Sequence, residues 1–303
     1  MKKVILLFVA VMISSVLWAQ ENVYGDATVS QVGNYNKALV DQTQASGGGW
    51  DMAYGSGTDA TVQVNGDYNQ TYIKQVGQKN VAGQDIHVTS FDVCAGFSAM
   101  NTGEKFGRYQ SLYMGPEGST IELACGEMIP FMTFALDLPK IYPGIYISGD
   151  ENITSISQDG SHMLAGITVS GDRNRAGIYQ VNGEWSKAGV SIAGNDNKAI
   201  VKQDGDEATA YVDINGDNNA VGVNQRSGLN NRAIAEVEGN GNQVFADQNG
   251  DLNISVQGVT GNNNNVLLEQ VGHHNGSVQM TSGSNHNSWV YQNGSENRSI
   301  VLQ

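Results

Sequence analysis

Proline is scarce in this 303-residue sequence, and its four copies, Pro116, Pro130, Pro139 and Pro143, all lie in one stretch. Proline has no amide hydrogen to donate to a β ladder, so the long proline-free regions are open to continuous strand pairing, and the stretch that holds it marks a boundary. Charge is scarce too, at 15% of residues, and one-sided, with 16 Lys+Arg against 30 Asp+Glu. So few cations exclude a nucleic-acid binder, which needs basic groups to displace counterions from phosphates. Long apolar runs are missing after the first twenty residues, so no membrane insertion is expected. Cysteine occurs twice, at Cys94 and Cys125.

The first residues read as a targeting segment. Lys2 and Lys3 supply the positive start, Val4 to Ile13 the apolar run, and Ala19 the small residue at a cleavage point, although Leu17 stands at the other usual small position. Residues 1–19 are therefore expected to be a signal peptide. Without its two lysines the exported chain has a net charge near −16, from the −14 of the whole. In an exported protein an even cysteine pair reads as a Cys94–Cys125 disulfide, the alternative being two buried free thiols.

What is abundant is glycine, with 38 copies, together with Asn and Gln, and they are periodic. Turn glycines recur at Gly149, Gly160, Gly171, Gly183, Gly194, Gly205, Gly216, Gly228, Gly239, Gly250, Gly261, Gly272, Gly283 and Gly294, in steps of 11 with two steps of 12. Most are followed three residues later by Asn, as at Asn152, Asn174, Asn197, Asn219, Asn242, Asn264 and Asn297. The units alternate in kind. One ends its strand on Gln (Gln158, Gln180, Gln203, Gln225, Gln248, Gln270, Gln292), the other on Val169, Ile192, Ile214, Val237, Val259 or Thr281. The full period is thus about 22 residues, two strands per rung.

In Asn197–Gln203 the alternate positions are Asn197, Ala199, Val201 and Gln203, a row that shares one face of a strand. The other face carries Lys, Arg, Asp, Glu and Tyr. Extra residues at Val181-Asn182 and Arg226-Ser227 precede their glycines, so they fall in the turn and leave the inward row in phase. The same pattern occurs earlier, at Gln31, Asn36 and Gln42, and again at Asn69 and Gln75.

The expected fold is all-β: a parallel β-solenoid of about 22-residue, two-strand rungs spaced about 4.8 Å apart, with Gln over Gln and Asn over Asn. Residues 20–87 form an N-terminal array with a Gly-rich loop at 43–58, and residues 145–303 form the main array. Residues 88–144, which hold every proline, both cysteines and five of the seven Phe, read as an inserted subdomain or as a long ordered loop.

The half-repeat Gln-x-Gly-x-x-Asn-x-Ala-x-x-x-Gln, nearly unmodified at Gln31–Gln42 and at Gln292–Gln303 (Ser299 in the Ala place), resembles the curlin repeat of curli subunits. The resemblance covers about 220 residues, with Met163, Ser186, Ala208 and His286 departing from Asn. It implies a structural subunit exported unfolded by dedicated secretion machinery. Such a subunit polymerises outside the cell, with itself or with other curlin-like subunits, into an amyloid fibre of the pilus kind that serves adhesion and biofilm. The stacked amides would drive assembly. An open terminal rung at Gln303 would offer unpaired backbone to a neighbour.

Rival readings are weaker. Calcium-binding rolls use a nine-residue period with more regular Asp. A carbohydrate-active solenoid needs an isolated carboxylate pair, and the acids here are scattered. An ice-binding face would need an outward row of Thr. His273-His274 sits in a turn, His87 and His162 are lone, and Trp50, Trp185 and Trp289 read as local packing. No catalytic, metal or cofactor site is therefore expected. The open alternative is a monomeric solenoid adhesin with 88–144 as its binding head.

Overall fold

The computed structural model describes residues 25–43, 58–78, 80–82, 119–122, 135–138 and 144–303. Cys94, Cys125, His87, Trp50, the expected signal segment and residues 44–57 of the Gly-rich loop lie outside them. The chain is an all-β parallel solenoid whose strands go alternately to two facing sheets. One sheet runs Lys37–Thr43, Gln70–Gln78, Ile153–Ser161, Arg175–Glu184, Lys198–Asp204, Ala220–Arg226, Gln243–Asn249, Asn265–His273 and Asn287–Ser295. The other begins at Gly25–Val32 and Thr58–Asn65, and ends with Gly276–Ser284 and Arg298–Leu302. All pairing within both is parallel and in register with the repeat, so Gln180 faces Gln203 and Ile192 faces Ile214.

Burial follows the alternation read from sequence. Lys198–Asp204 has the pattern exposed, buried, exposed, buried, exposed, buried from Lys198 to Gln203. The inward Ala, Val and Ile side chains of both sheets make one continuous core from Ala38 to Val290. Each fully buried aliphatic contributes about 1.5–3 kcal/mol. Both 12-residue steps keep the inward row in phase, but only Ser227 falls in a turn, after Ala220–Arg226; at the first step the extra residue forms a bulge inside the strand Arg175–Glu184. The register shifts between Val181 and Gly183, Asn182 takes φ +54°, and Gln180 stays opposite Gln158.

One strand of the second sheet is assembled from two distant pieces. Thr58–Asn65 pairs with Val81–Ala82 through Asp59 and Ala60, then with Gly144–Ser148 through Val62 to Asn65. Read across the join, Ala82-Gly144-Ile145-Tyr146-Ile147-Ser148-Gly149 repeats the continuous Ala165-Gly166-Ile167-Thr168-Val169-Ser170-Gly171 above it. The 83–143 segment therefore leaves and re-enters in mid-strand without costing the coil a single register position. Within that segment, Ser119–Glu122 pairs antiparallel with Ala135–Leu138.

The turns hold an unexpected conformation. Glycine supplies the first angle, as at Gly216, where φ is +134° and an added Cβ would lie 2.0 Å from the Gly239 carbonyl oxygen of the next rung. Two residues on, the backbone is left-handed again, and there the residue is rarely glycine: Tyr35, Glu151, Trp185 and Leu252 all have φ between +56° and +61°. Such residues cost about 1–2 kcal/mol each. Backbone bonds to the neighbouring rung hold them, as in Leu252 N–H to the Leu229 carbonyl at 2.8 Å.

Candidate assembly ladder

The sequence places one Gln at the end of every strand of the first sheet, and parallel in-register pairing makes them a column. Gln42, Gln75, Gln158, Gln180, Gln203, Gln225, Gln248, Gln270 and Gln292 are joined Nε2 to Oε1 by eight successive bonds of 2.8–3.0 Å. Each Nε2 has two hydrogens. From Gln180 upward the second goes to a backbone carbonyl sixteen residues earlier, on the facing strand, as in Gln203 to Lys187 O at 3.0 Å. The amides from Gln75 to Gln270 are at most 1% exposed. A buried amide without partners costs several kcal/mol, so this column is stable only as a column.

At the other end of each strand Asn36, Asn69, Asn152, Asn174, Asn197, Asn219, Asn242 and Asn264 form a second file. Each Oδ1 accepts the backbone N–H of the Asn above, as in Asn197 N–H to Asn174 Oδ1 at 2.9 Å. Each Nδ2 donates to the carbonyl of the turn glycine of the next rung, as from Asn174 to Gly194 at 2.7 Å. Gly66, Gly149, Gly171, Gly216, Gly239, Gly261 and Gly283 are the acceptors along the rest of this file. His286 closes it, still donating its N–H to Asn264 Oδ1. In the second sheet Ser186 replaces the Asn donor with its hydroxyl, on Gly205 O at 2.9 Å. Met163 and Ala208 keep only the backbone half of the arrangement.

The Gly-Asp turns are explained by the same stacking. Asp67, Asp150, Asp172 and Asp217 each offer Oδ1 to the backbone N–H of the turn residue on the rung before, at 2.6–2.9 Å. Among the described residues, no group of three or more His, Cys, Asp or Glu is placed to hold a metal ion. His273 Nδ1 lies 2.9 Å from Asp251 Oδ2. Trp185 stacks on His162 with ring centroids 4.1 Å apart, and Trp289 is 70% exposed.

Three amides grouped with the ladder by sequence, Gln31, Asn297 and Gln303, lie in the other sheet. Strands alternate strictly between sheets, but the first two described strands both end on Gln, and so do the last two. Gln31 therefore falls in the second sheet, opposite Val64, and its Nε2 is buried with no hydrogen-bond partner. Gln303 follows Leu302, which pairs with Met280, and so lies at the level of Thr281. Asn297 likewise stands over Asn275 in the second sheet. Sequence reasoning missed a short amide pair in that sheet, Gln257 to Gln279 at 3.0 Å, in a file that elsewhere carries Ile167, Val190 and Val212. The signal was present, since both residues fall on the inward alternation.

Comparison with known families bears on this geometry. Residues 194–226 match the curlin associated repeat. The matched curlin segment contains Asn197, Gln203, Asn219 and Gln225 and the aliphatic strand Thr209–Asn215 between them. The rungs before and after it pair in the same register, with the same amide bonds, so the geometry of the matched segment continues into its neighbours. A search of curated proteins returns no match.

Proposed function

We propose that this chain is a structural subunit of an extracellular, curli-like amyloid fibre, built by axial stacking of copies and serving cell adhesion and biofilm matrix. The observation that carries the reading is the hydrogen-bonded column from Gln42 to Gln292, which reaches an edge strand of its sheet at either end. Each edge strand presents a row of backbone groups with which a further rung of the same kind would pair. Sideways association is opposed by the acidic balance of the chain, 30 Asp+Glu against 16 Lys+Arg. Its partners are other copies of itself or related curlin-like subunits, and a dedicated export apparatus delivers it outside the cell.

Incubating the purified mature protein tests this. Thioflavin-positive fibres should grow after a lag, seed fresh protein, and diffract with a meridional spacing of about 4.8 Å. A β-rich protein that stays monomeric at high concentration for days would overturn the proposal. It would favour a surface adhesin using the 88–144 insertion as its binding head.

A further inference from the structure

The odd number of strand levels among the described residues constrains how one copy can follow another. Among the described residues one sheet has nine strands and the other eleven, but two of the eleven, Val81–Ala82 and Gly144–Ser148, share one level, which leaves ten levels against nine. Gly25–Val32 and Arg298–Leu302, the first and last strands described, are both edges of the ten-level sheet. If a second copy stacked with its sheets matched like to like, the ten-level sheet would continue and the other would lack one strand at every junction. Gln292 and the next copy's Gln42 would then face each other across that gap, about 9.6 Å apart, twice the rung spacing.

We propose that successive copies in the fibre exchange sheets: each is turned by about half a revolution about the fibre axis. Its Gly25–Val32 lies on Asn287–Ser295 of the copy before, and its Lys37–Thr43 lies on Arg298–Leu302. This rests on the stacking reading above and adds to it the identity of the junction.

Four observations support the exchange. First, the coil continues without a missing strand. Second, the doubled Gln strands at each end acquire a purpose. Gln292 meets Gln31, and Gln303 meets Gln42, so both files carry an amide pair across the junction, although only one sheet carries a Gln column within a copy. Third, the buried, partnerless Gln31 Nε2 gains an acceptor. In every described rung from Gln180 up, and at Gln303 itself, this hydrogen goes to a carbonyl sixteen residues back. Continued across the exchanged junction, that position is the Arg298 carbonyl of the preceding copy. Fourth, the motif states match. Asn297-x-Ser299-x-Val301-x-Gln303 lies against Asn36-x-Ala38-x-Val40-x-Gln42, and the two half-repeats without the leading Asn, His286–Gln292 and Gly25–Gln31, lie against each other. Asn297 Oδ1 would accept the Asn36 N–H, and Asn297 Nδ2 would reach the Gly33 carbonyl, as in the rungs below. On the wet outer face Arg298 and Lys37 become neighbours, a repulsion that solvent and salt screen, whereas the gap of the like-to-like junction is buried.

Cross-linking discriminates the two junctions. The exchanged junction sets Leu39 beside Ile300 of the preceding copy, and the like-to-like junction sets Thr28 there; Leu39 and Ile300 are 38% and 45% exposed and tolerate cysteine. Full-length mature L39C mixed with I300C should give, after fibre growth and mild oxidation, a 39–300 disulfide identified by peptide mass spectrometry. T28C mixed with I300C should not give a 28–300 disulfide. As a second readout in unmixed fibres, a gold label at Lys202→Cys should alternate between opposite sides of the fibre about every 45 Å, the height of nine to ten rungs. Fibres with a 28–300 link, fibres with neither link, or labels along one side would overturn the exchange while leaving the stacking reading intact. If the wild-type protein grows no fibre, the stacking reading itself falls, and the junction with it.

Discussion

The two sheets face each other across the same narrow core, yet they use different chemistry to fill it. At the last inward position one sheet repeats Gln from Gln42 to Gln292, and the other repeats Val64, Ile147, Val169, Ile192, Ile214, Val237 and Val259. The aliphatic file gains free energy from burial alone, about 1.5–3 kcal/mol per residue, and Ile over Val is nearly as good as Ile over Ile. The amide file gains a similar amount, about 1 kcal/mol net for each of two bonds, but only when every neighbour is an amide in the same register. One file supplies cohesion and the other specifies alignment. Their outer faces differ as well. On the aliphatic sheet Tyr211 and Ile234 are 5% and 2% exposed, while on the amide sheet Ile200 and Phe245 are 39% and 41% exposed.

Transplanting one chemistry into the other sheet should have the largest effect. Ile214→Gln buries a lone amide between Ile192 and Val237, with neither donor nor acceptor above or below, and should cost roughly 3–5 kcal/mol in urea unfolding of freshly purified subunit. The reverse break is smaller. Gln225→Ala removes the acceptor of Gln203 and the donor to Gln248, but the Gln203 Nε2 keeps its bond to the Lys187 carbonyl, so about 2–3 kcal/mol is expected. It should also slow seeded fibre growth, whereas Lys202→Ala, on the exposed face of the adjoining strand Lys198–Asp204, should leave both stability and growth within experimental scatter. Equal damage from Ile214→Gln and Ile214→Val would mean that the aliphatic file does not discriminate against amides.

The end of the coil offers a sharper version of the contrast. Gln31 is an amide already sitting in the aliphatic file, beneath Val64. Gln31→Val should therefore stabilise the isolated subunit by roughly 1–2 kcal/mol, the cost of an orphaned buried donor, and at the same time slow elongation. A substitution that raises the melting temperature and lowers the growth rate is not what a purely structural glutamine would produce. No change in either would remove Gln31 from both arguments.

Much of this was legible in the sequence because stacking turns one-dimensional spacing into geometry. A residue at a fixed phase of the 22-residue period must lie over its equivalents, so Asn174, Ala176, Ile178 and Gln180 announce an inward file without any three-dimensional input. What stayed hidden depends on counting or on backbone shape. That Gln31 and Gln303 leave the Gln column follows from the parity of the strands, which local motifs do not carry. The mid-strand join of Ala82 to Gly144 is invisible because proline and composition mark where a segment differs, not where a register resumes. The left-handed residues Trp185 and Leu252 have no sequence signature, since inter-rung bonds, and not their own preferences, hold the angle.

The smallest expected effect concerns the covered outer face. Asp213 lies there between Ser191 and Glu236, and burial pushes its carboxyl up from 3.8 to about 6, against the opposing hydrogen bonds from Ser191 and the Ile214 backbone. The Tyr211 phenol, on the same strand and face, is pushed up as well, by burial first and by the Asp213 and Glu236 charges second. Because the folded carboxyl holds its proton at pH values where the unfolded one has released it, this group weakens the fold as pH rises from about 4 to about 6, and the loss is complete above that. Asp213→Asn, which keeps the shape and removes the charge, should raise stability at pH 7.5 by on the order of 1 kcal/mol and have little effect at pH 3.5. Equal stability of the wild type and Asp213→Asn at both pH values would mean that the carboxyl is as well solvated as the residues of the other sheet, and the contrast between the two outer faces would reduce to the apolar side chains alone.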